Sequence, residues 1–445
     1  MKKYIALSAI TIGLLSSVNV QAAEDLSSMF SEGKASGQIR EFSISRSVKK
    51  SASGADDFTR SANAIGGYLK YETADFKGLS LGTAFYTTNG FLNNSDKTDY
   101  TKVDPTLLGE KNEGYSILGE AYIQVKLGKT AFKGGRQKLN TPLAGTDDAR
   151  MLPNLFEAYV LSNTDIPGTT LIAAHATAFA QGTFGRAYNG GVLAATAGYS
   201  AVASRDTGNV GNFKNMGSYA VGESTAGVSI VSATYTGVEG LKVQLWDYYA
   251  HDILNAIYAD VSYKMKLGIV TPFAAAQLIK EDNVGKDYAG DINGMYWGAK
   301  VGASIENFTA YVAYSQTSEN KAGETLENAI VTPWGGMPAY TQGMVTRHMF
   351  LAGTKATKVA ASYNFKAMGP NLKTVLYYAN FDMAEHNAYT SGDASETGFD
   401  IIYYPKLVEK LQLRVRANFA DDFNVNTTGD TVGWNEYRFI ANYSF

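Results

Sequence analysis

Four arginines near the two ends of the chain are the residues best suited to chemistry. Arg414 and Arg416 stand two positions apart, Arg438 lies close to the C-terminus, and Arg40 lies near the start. A guanidinium group is always charged, and it can hold a carboxylate through two parallel hydrogen bonds. If these segments are strands of one sheet, the side chains would form a track that attracts anions. The alternative is a set of isolated, solvated charges that pair with neighbours such as Glu436.

A second charged group occupies the stretch between Pro142 and Pro153. It contains Asp147, Asp148 and Arg150. Opposite charges on a loop that enters a passage could face each other across a few ångströms of water and select the solutes that pass. The alternative is that Asp148 and Arg150 only fasten the loop to the wall beside it. Both interpretations remain open, and they do not exclude each other.

The chain has no pattern that predicts an enzyme. Its four histidines lie outside any His-Glu-x-x-His pattern, and neither a Gly-x-Ser-x-Gly elbow nor a phosphate-binding loop occurs. His251-Asp252 together with Asp147-Asp148 faintly resembles omptin-type membrane proteases, but those barrels have ten strands and are far shorter. The chain has no cysteine, so thiolate metal sites and cysteine nucleophiles are excluded. We expect no metal site and no cofactor, and the net charge of −3 offers no basic surface for nucleic acid.

The last residues, 434–445, predict the kind of element that carries these side chains. One face at period two is apolar and consists of Tyr437, Phe439, Ala441, Tyr443 and Phe445. The other face is polar except for Ile440 and consists of Glu436, Arg438, Asn442 and Ser444. This alternation favours a strand between lipid and water, although a strand of a soluble sandwich would show it too. A terminal Phe445 also resembles the signal that marks bacterial outer-membrane proteins for their assembly machinery.

The first 22 residues have the features of a cleaved secretory signal. Lys2 and Lys3 precede an apolar run, and Val20-Gln21-Ala22 ends in small residues suited to cleavage. Residues 23–445 then form one domain. No later stretch reaches the ~18 apolar residues that a spanning helix needs. Abundant glycine (45) and tyrosine (29) with scarce proline (9) instead favour many strands joined by tight turns.

Short turns alternate with long polar loops along the chain, which is the pattern of a transmembrane antiparallel β-barrel. We expect short turns on the periplasmic side and long loops outside. Eighteen strands result, and sixteen are the alternative. The predicted strands span 35–46, 62–74, 79–89, 115–127, 131–139, 156–163, 169–178, 225–236, 241–250, 255–266, 271–280, 292–304, 308–317, 353–365, 371–382, 397–405, 411–419 and 433–445.

The alternation also predicts which side chains line the interior. An arginine facing lipid near the membrane centre would cost ~2–4 kcal/mol, so Arg414 and Arg416 should point inward. Barrel closure places the last strand beside the first, so that Arg414, Arg416, Arg438 and Arg40 would lie on consecutive strands. Arg136, Lys126 and Lys138 would extend the positive side. Such an interior should hold water rather than a hydrophobic core, because eighteen strands leave room for an aqueous channel.

The loop 318–351 is unusually apolar. It contains Trp334 and Tyr340, which need cover, so we expect it to pack into the extracellular mouth. The alternative is a contact surface for another protein or a phage.

The stretch 134–156 resembles the third-loop region of the OprD family of outer-membrane porins. The family pattern is a strand with Gly-x-Gln-x, then Thr-Pro, then Asp-x-Arg-x-Leu-Pro. Gly135, Gln137, Thr141-Pro142, Asp148, Arg150 and Leu152-Pro153 hold those places. The resemblance implies a third loop, 140–155, that folds inward and narrows the channel. It also implies uptake of small carboxylate-bearing nutrients along an arginine-rich wall.

We therefore expect a porin of the bacterial outer membrane. It would be a passive diffusion channel for small hydrophilic solutes, with a modest preference for anionic or carboxylate-bearing nutrients. The alternatives are a trimeric general porin without a specific site, and an adhesin or receptor that acts through its extracellular loops. The sequence leaves open whether the protein is a monomer or a trimer.

Overall fold

The computed structural model describes residues 23–49, 57–91, 99, 102–187, 210–344, 348–387, 393–425 and 428–445. The predicted signal segment, 1–22, lies outside the described residues. No helix in the described part of the chain has both the length and the apolar character needed to cross a membrane.

The described residues form nineteen strands and a few short helices. The strands are β1 (Lys34–Lys49), β2 (Phe58–Glu72), β3 (Leu79–Gly90), β4 (Tyr115–Leu127), β5 (Thr130–Gln137), β6 (Leu155–Asn163), β7 (Thr169–Ala180), β8 (Lys214–Asn215), β9 (Val228–Tyr235), β10 (Leu241–Ala250), β11 (Leu254–Lys264), β12 (Val270–Asn283), β13 (Met295–Ile305), β14 (Phe308–Thr317), β15 (Lys355–Asn364), β16 (Leu372–Asp382), β17 (Ala394–Tyr403), β18 (Leu411–Val425) and β19 (Thr431–Ser444). The α-helices are α1 (Leu26–Ser31) and α2 (Met216–Val221). Single 3-10 turns occur at Pro105–Leu107, Glu110–Asn112, Thr183–Ala187, His348–Phe350 and Phe365–Met368.

Eighteen of these strands close into an antiparallel barrel. Each pairs with the next one along the chain, and β7 pairs directly with β9. The two residues of β8 only extend the edge of β7. The barrel closes where β19 pairs with β1, and Phe445 and Gly37 exchange both backbone hydrogen bonds at 3.1 Å there. The prediction of eighteen strands is confirmed, and the predicted bounds of β4, β10 and β14 match residue for residue.

The outer face of the barrel carries the apolar residues that the alternation predicted. Tyr437, Phe439 and Tyr443 of β19 and the terminal Phe445 are all exposed, whereas the adjacent Glu436 and Arg438 are buried. Ile440, the exception to the pattern, is buried on the inner face and packs in a cluster with Phe42. A surface of exposed aliphatic and aromatic side chains is what hydrocarbon requires of a barrel.

The interior differs from the prediction of a lining that is polar throughout. Large apolar side chains point inward from several strands and are buried; they include Phe156, Trp246, Tyr248, Tyr296 and Phe381. They pack against Leu143 of the β5–β6 loop and Trp334 of the β14–β15 loop. Loops that fold inward therefore fill part of the interior, and apolar side chains of the wall pack against them. The polar wall described below lies beside this packed region.

Candidate functional site

The loop between β5 and β6, residues 138–154, which we call L3, passes through the inside of the barrel. Its Leu143 backbone N–H donates a hydrogen bond to the Tyr248 hydroxyl on β10 (3.3 Å). Its Asp148 binds Arg40 on β1. In the barrel, β1 and β10 are almost half a circumference apart. A loop that touches both strands from within must cross the interior.

L3 holds its shape through its own backbone contacts. The N–H and the hydroxyl of Thr141 both donate to the Ala144 carbonyl, at 2.9 and 2.8 Å. The Asn154 N–H donates to the Thr146 carbonyl at 2.7 Å and closes the far end of the loop. Asp147 adopts a left-handed backbone conformation (φ 39°), which Asp tolerates better than most residues. L3 is thus a compact unit held together by hydrogen bonds within the loop.

Asp148 and Arg40 form a two-point contact between L3 and the wall. One guanidinium nitrogen lies 2.6 Å from Oδ1 and the other lies 3.1 Å from Oδ2. Arg40 also donates to Asn442 on β19 (2.8 Å) and to the carbonyl of Arg150. Burial would raise the pKa of Asp148, but the charge and hydrogen bonds of Arg40 outweigh that effect and hold the pKa below its usual range. Asp148 is therefore a carboxylate at neutral pH, and Arg40 is largely neutralised.

Arg150 belongs to a buried ionic cluster rather than to an open passage. Glu436 on β19 lies within ion-pair distance of three guanidiniums: Arg46 at 2.5 Å, Arg438 at 2.7 Å and Arg150 at 3.0 Å. A second carboxylate, Asp104, contacts Arg46 at 3.3 Å and Arg60 at 3.2 Å. Burial is the main cause that lowers the pKa of Arg150 to about 10, and Glu436 offsets part of this effect. The cluster fastens L3 to β1, β2 and β19.

Two further arginines lie on the inner wall beside this cluster and share a single carboxylate. Arg414 binds Asp400 on β17 through two nitrogens, one of them at 2.8 Å. The Nε of Arg416 lies 3.3 Å from the same carboxylate. The side chains of Arg414 and Arg416 are 29% and 16% exposed, so solvent in the lumen reaches both. Two guanidiniums against one aspartate leave an excess of positive charge on this wall.

The structure brings part of the expected basic track together. Closure makes β18, β19 and β1 neighbours, and Arg416 lies directly opposite Arg438 in the sheet register. Arg438, however, is buried and engaged by Glu436 and Asn418, and Arg40 is engaged by Asp148. Arg414 and Arg416 are thus the members of the four that face open lumen.

The three other cations of the expected track have different placements. Lys126 lies on the inner face of β4, because Ile123 and Leu127 of the same strand are exposed on the outer face. Lys138 is exposed inside the barrel, with its ammonium 4.8 Å from the ring centre of Tyr68.

Arg136 lies on the outer face, which departs from the expected lumen position. Its Nε is 3.5 Å from Glu157, and its guanidinium lies 4.4 Å from the ring of Phe213. The reason is that β5 ends at Gln137, whose side chain points inward and is buried, so the preceding residue must point outward. Lys138 escapes this alternation because it already belongs to L3.

The loop between β14 and β15 spans residues 318–354, and we call it L7. Its described parts, 318–344 and 348–354, also pack against the inner wall. Trp334 is buried and its indole N–H donates to the Met216 carbonyl (3.1 Å), while the Tyr340 hydroxyl bonds Asp260 on β11. L7 contacts L3 directly: the Gly145 N–H donates to the Trp334 carbonyl, and the Gly336 N–H donates to Asp147, both at 3.1 Å. The two loops therefore form one structure across the interior.

Several residues of this site escaped the sequence analysis. Asp104, Arg46 and Arg60 complete the buried cluster, and Lys300 and Lys358 present ammonium groups to L7. The only signal for Arg46 was its place on the inward parity of β1, which it shares with Arg40. The position of Asp104 could not be predicted, because its partners are distant in sequence and it lies in the loop between β3 and β4, where no alternating pattern marks a face.

Comparisons with known proteins agree with the fold and with the expected family. A family model described as an outer membrane porin of the OprD family matches residues 29–445. No curated protein sequence matches the chain.

Solved structures from Pseudomonas aeruginosa resemble the whole barrel. OccK9 (OpdG) superposes with a TM-score of 0.75 at 19% identity and covers 94% of this chain and 99% of its own. OpdK with vanillate superposes with a TM-score of 0.73 at 16% identity, with the same coverage of both chains. OccK2 (OpdF) in complex with glucuronate gives 0.71 at 15% identity, covering 94% of this chain and 97% of its own. At these identities the likeness is one of fold.

Proposed function

This chain belongs to the OprD family of outer-membrane porins, and from that premise we propose that it is a passive channel with a preference for small carboxylate-bearing solutes. Its location is the bacterial outer membrane. Solutes would cross by diffusion, without energy input, between the inward-folded loops and the basic wall. L3 and L7 would set the size limit, and the wall arginines would set the charge preference.

The observation that carries this proposal is the shared carboxylate of Arg414 and Arg416. Among the residues that the structure describes, Asp400 is the one carboxylate paired with both arginines, so the pair keeps about one unit of positive charge that lumen solvent can reach. A guanidinium binds carboxylate oxygens through parallel hydrogen bonds, which gives it a geometric as well as an electrostatic preference for such anions. A passing carboxylate could exchange with Asp400 without leaving either arginine unpaired.

The solutes bound in two related structures support the class of substrate. Vanillate and glucuronate differ in their carbon skeletons, and both carry one carboxylate. A wall that recognises the carboxylate through arginines and leaves the remainder of the solute to loop contacts would accommodate either skeleton. We extend that feature, and not either compound, to this channel.

The test is the ion selectivity of single channels in planar bilayers. Under a salt gradient, the double variant R414Q/R416Q should shift the reversal potential toward cation preference, because Asp400 would then stand uncompensated. The matched control is R136Q, which removes a guanidinium from the outer face and should leave the reversal potential unchanged.

Two results would count against the proposal. An absence of conductance steps in the wild-type protein would reject the channel itself. An unchanged reversal potential in R414Q/R416Q would reject the basic wall as the origin of selectivity. Liposome swelling with monocarboxylates, dicarboxylates, amino acids and neutral sugars of matched size would then rank the solutes, and carboxylates should enter faster than sugars.

A further inference from the structure

Two histidines approach each other on the outer face of the barrel, away from the pore. His175 belongs to β7 and His251 directly follows β10, and β9 lies between these two strands. Both imidazoles contact the hydroxyl of Ser229 on β9: Nδ1 of His175 is 3.1 Å from that oxygen, and Nε2 of His251 is 3.0 Å from it. The centres of the two rings are 6.0 Å apart. Two imidazole nitrogens therefore point at the same small space.

The alternation of the strands places this group outside. Val228 and Ile230, the neighbours of Ser229, are buried against the inner cluster, so Ser229 points outward. Tyr249 shares the outer face of β10 with His251 and is 40% exposed. The rings of Tyr249 and His251 meet edge to face, with their centres 4.9 Å apart. The two histidines thus belong to the outer wall, and the solute pathway lies on the other side of it.

The pair lies at the extracellular boundary of the membrane. β10 starts after the short turn 236–240, and His251 begins the turn at the opposite end of that strand. Tyr249 and Tyr159, the register partner of His175, are exposed tyrosines near this height. Aromatic residues form such a girdle where the apolar band meets the lipid headgroups. Both histidines are half-buried, so water and the ions dissolved in it reach their imidazoles.

The space between the rings suits a metal ion. Neutral imidazole is the commonest metal ligand in proteins, and a Zn–N bond of ~2.0–2.1 Å is about 1 Å shorter than the present contacts. Small rotations of both rings therefore bring His175 and His251 onto one ion, once the Ser229 hydroxyl turns aside. That hydroxyl has one proton, so it donates to one imidazole and accepts from the N–H of the other. The second ring then carries its proton on its other nitrogen, and both ligands stay neutral.

Nearby charged groups are engaged elsewhere. The carboxylate of Asp252, next to His251, lies against Gly285 in the loop between β12 and β13, and Asp247 accepts a hydrogen bond from Asn255 (2.9 Å). Among the described residues, no group of three or more His, Cys, Asp or Glu side chains could hold a metal. Two imidazoles would thus be the protein ligands, and water would fill the remaining positions. Nitrogen ligands without carboxylates favour Zn²⁺ and similar ions over Ca²⁺ and Mg²⁺.

We propose that His175 and His251 form a two-histidine site for a divalent ion of the zinc class on the outer surface of the barrel. The ion links β7 to β10 across β9 and closes the chain around the connection 181–227. A link between positions far apart in sequence restricts the unfolded chain more than a local link does, so the bound ion stabilises the barrel. The proposal departs from our expectation of no metal site, because these histidines belong to no local sequence pattern.

Zinc titration of the purified, folded protein tests this site. Calorimetry should show one Zn²⁺ bound per chain, and H175Q and H251Q should each weaken binding at least about tenfold. S229A should still bind, because both nitrogens remain. The matched control is H386Q, which replaces an exposed histidine in the loop after β16 and should bind like wild type. Zinc should also raise the temperature at which the folded band disappears on semi-native gels, in wild type and H386Q but not in H175Q or H251Q.

A second measurement needs no variant. Diethyl pyrocarbonate modifies accessible imidazoles, and mass spectrometry of the wild type should show that zinc protects His175 and His251 but not His386. Protection of that pair, together with the loss of binding in both histidine variants, supports the proposal. Wild type that binds no zinc would overturn it, and so would affinity that falls in only one of the two variants or equally in H386Q. Zinc that protects none of the histidines, or protects His386 to the same extent, would identify the binding as non-specific.

Discussion

The guanidinium of Arg40 and the carboxylate of Asp148 meet in a two-point contact that joins the first strand of the barrel to the loop crossing its interior. The two nitrogen–oxygen distances are 2.6 and 3.1 Å. Because this pair joins the middle of L3 to the wall at β1, its geometry should govern how firmly the loop is held.

Replacing Arg40 by lysine should loosen L3 while keeping the positive charge. A lysine cannot form two parallel hydrogen bonds to the Asp148 carboxylate. We therefore expect the free energy of loop docking to fall by about 1–2 kcal/mol, a loss that solvent screening reduces because the Asp148 side chain is 44% exposed. Single-channel recordings should show larger open conductance and more current noise in R40K, and more still in R40Q. Recordings of R40K that match the wild type would mean that other contacts hold the loop alone.

Neutralising Glu436 should destabilise the barrel more than any surface charge. E436Q leaves Arg46, Arg150 and Arg438 buried together without their shared carboxylate, and breaking such a buried ion pair costs about 3–5 kcal/mol. The folded band on semi-native gels should disappear at a lower temperature. E409Q, in an exposed turn, is the control and should melt like wild type. Identical melting of both variants would exclude an essential role for the cluster.

Acid should release L7 through His348. This residue is buried, its Nε2 lies 3.1 Å from the Phe423 carbonyl, and burial lowers its pKa to about 4 against that hydrogen bond. The ordinary value is 6.5, so the undocked loop binds more protons between pH 6.5 and 4, and docking weakens as pH falls through that window. The loss approaches about 3 kcal/mol at pH 4.

Protease sensitivity of L7 between pH 7 and 4.5 measures this effect. Wild type should be cleaved faster as the pH falls, and H348Q should lose most of that dependence. H386Q replaces an exposed histidine of the next loop and should keep it. If H348Q and wild type respond to pH in the same way, another group is the acid sensor.

Truncating Trp334 should open the interior. W334A removes a buried indole between the two loops and the wall, which costs about 3–5 kcal/mol in packing. W334F keeps most of the bulk and loses only the hydrogen bond to Met216, so its cost should be about 1 kcal/mol. Liposome swelling with larger sugars should be fastest for W334A. Equal rates in the three proteins would show that L7 does not limit the passage.

The barrel could be predicted from the sequence because its signal is local. In β18 and β19 apolar residues alternate with polar ones, so alternation predicted both strands and their faces, although β18 extends to Val425 and was expected to end at 419. The first strand alternates poorly for a physical reason. Its inner face carries Phe42, Ile44 and Val48, which loops cover, and its outer face carries Glu41 and serines. Neither face of β1 has the chemistry that a simple boundary between lipid and water would impose.

The site was less predictable because its contacts are distant in sequence. The motif around Asp148 and Arg150 marked L3, but nothing local reveals that Arg150 would meet Glu436, 286 residues away. The apolar residues of L7 showed that it needs cover, and their contact with Gly145 depends on the three-dimensional path of both loops. Arg136 shows the same limit, since one residue at a strand end decides which face a charge occupies.

The backbone bond from Gly145 to the Trp334 carbonyl has a mechanical consequence. Main-chain groups cannot be exchanged by substitution, so the joint persists through most changes of side chain in either loop. A solute that displaces one loop must therefore displace the other. L3 and L7 would move together, and the passage would widen through one concerted motion.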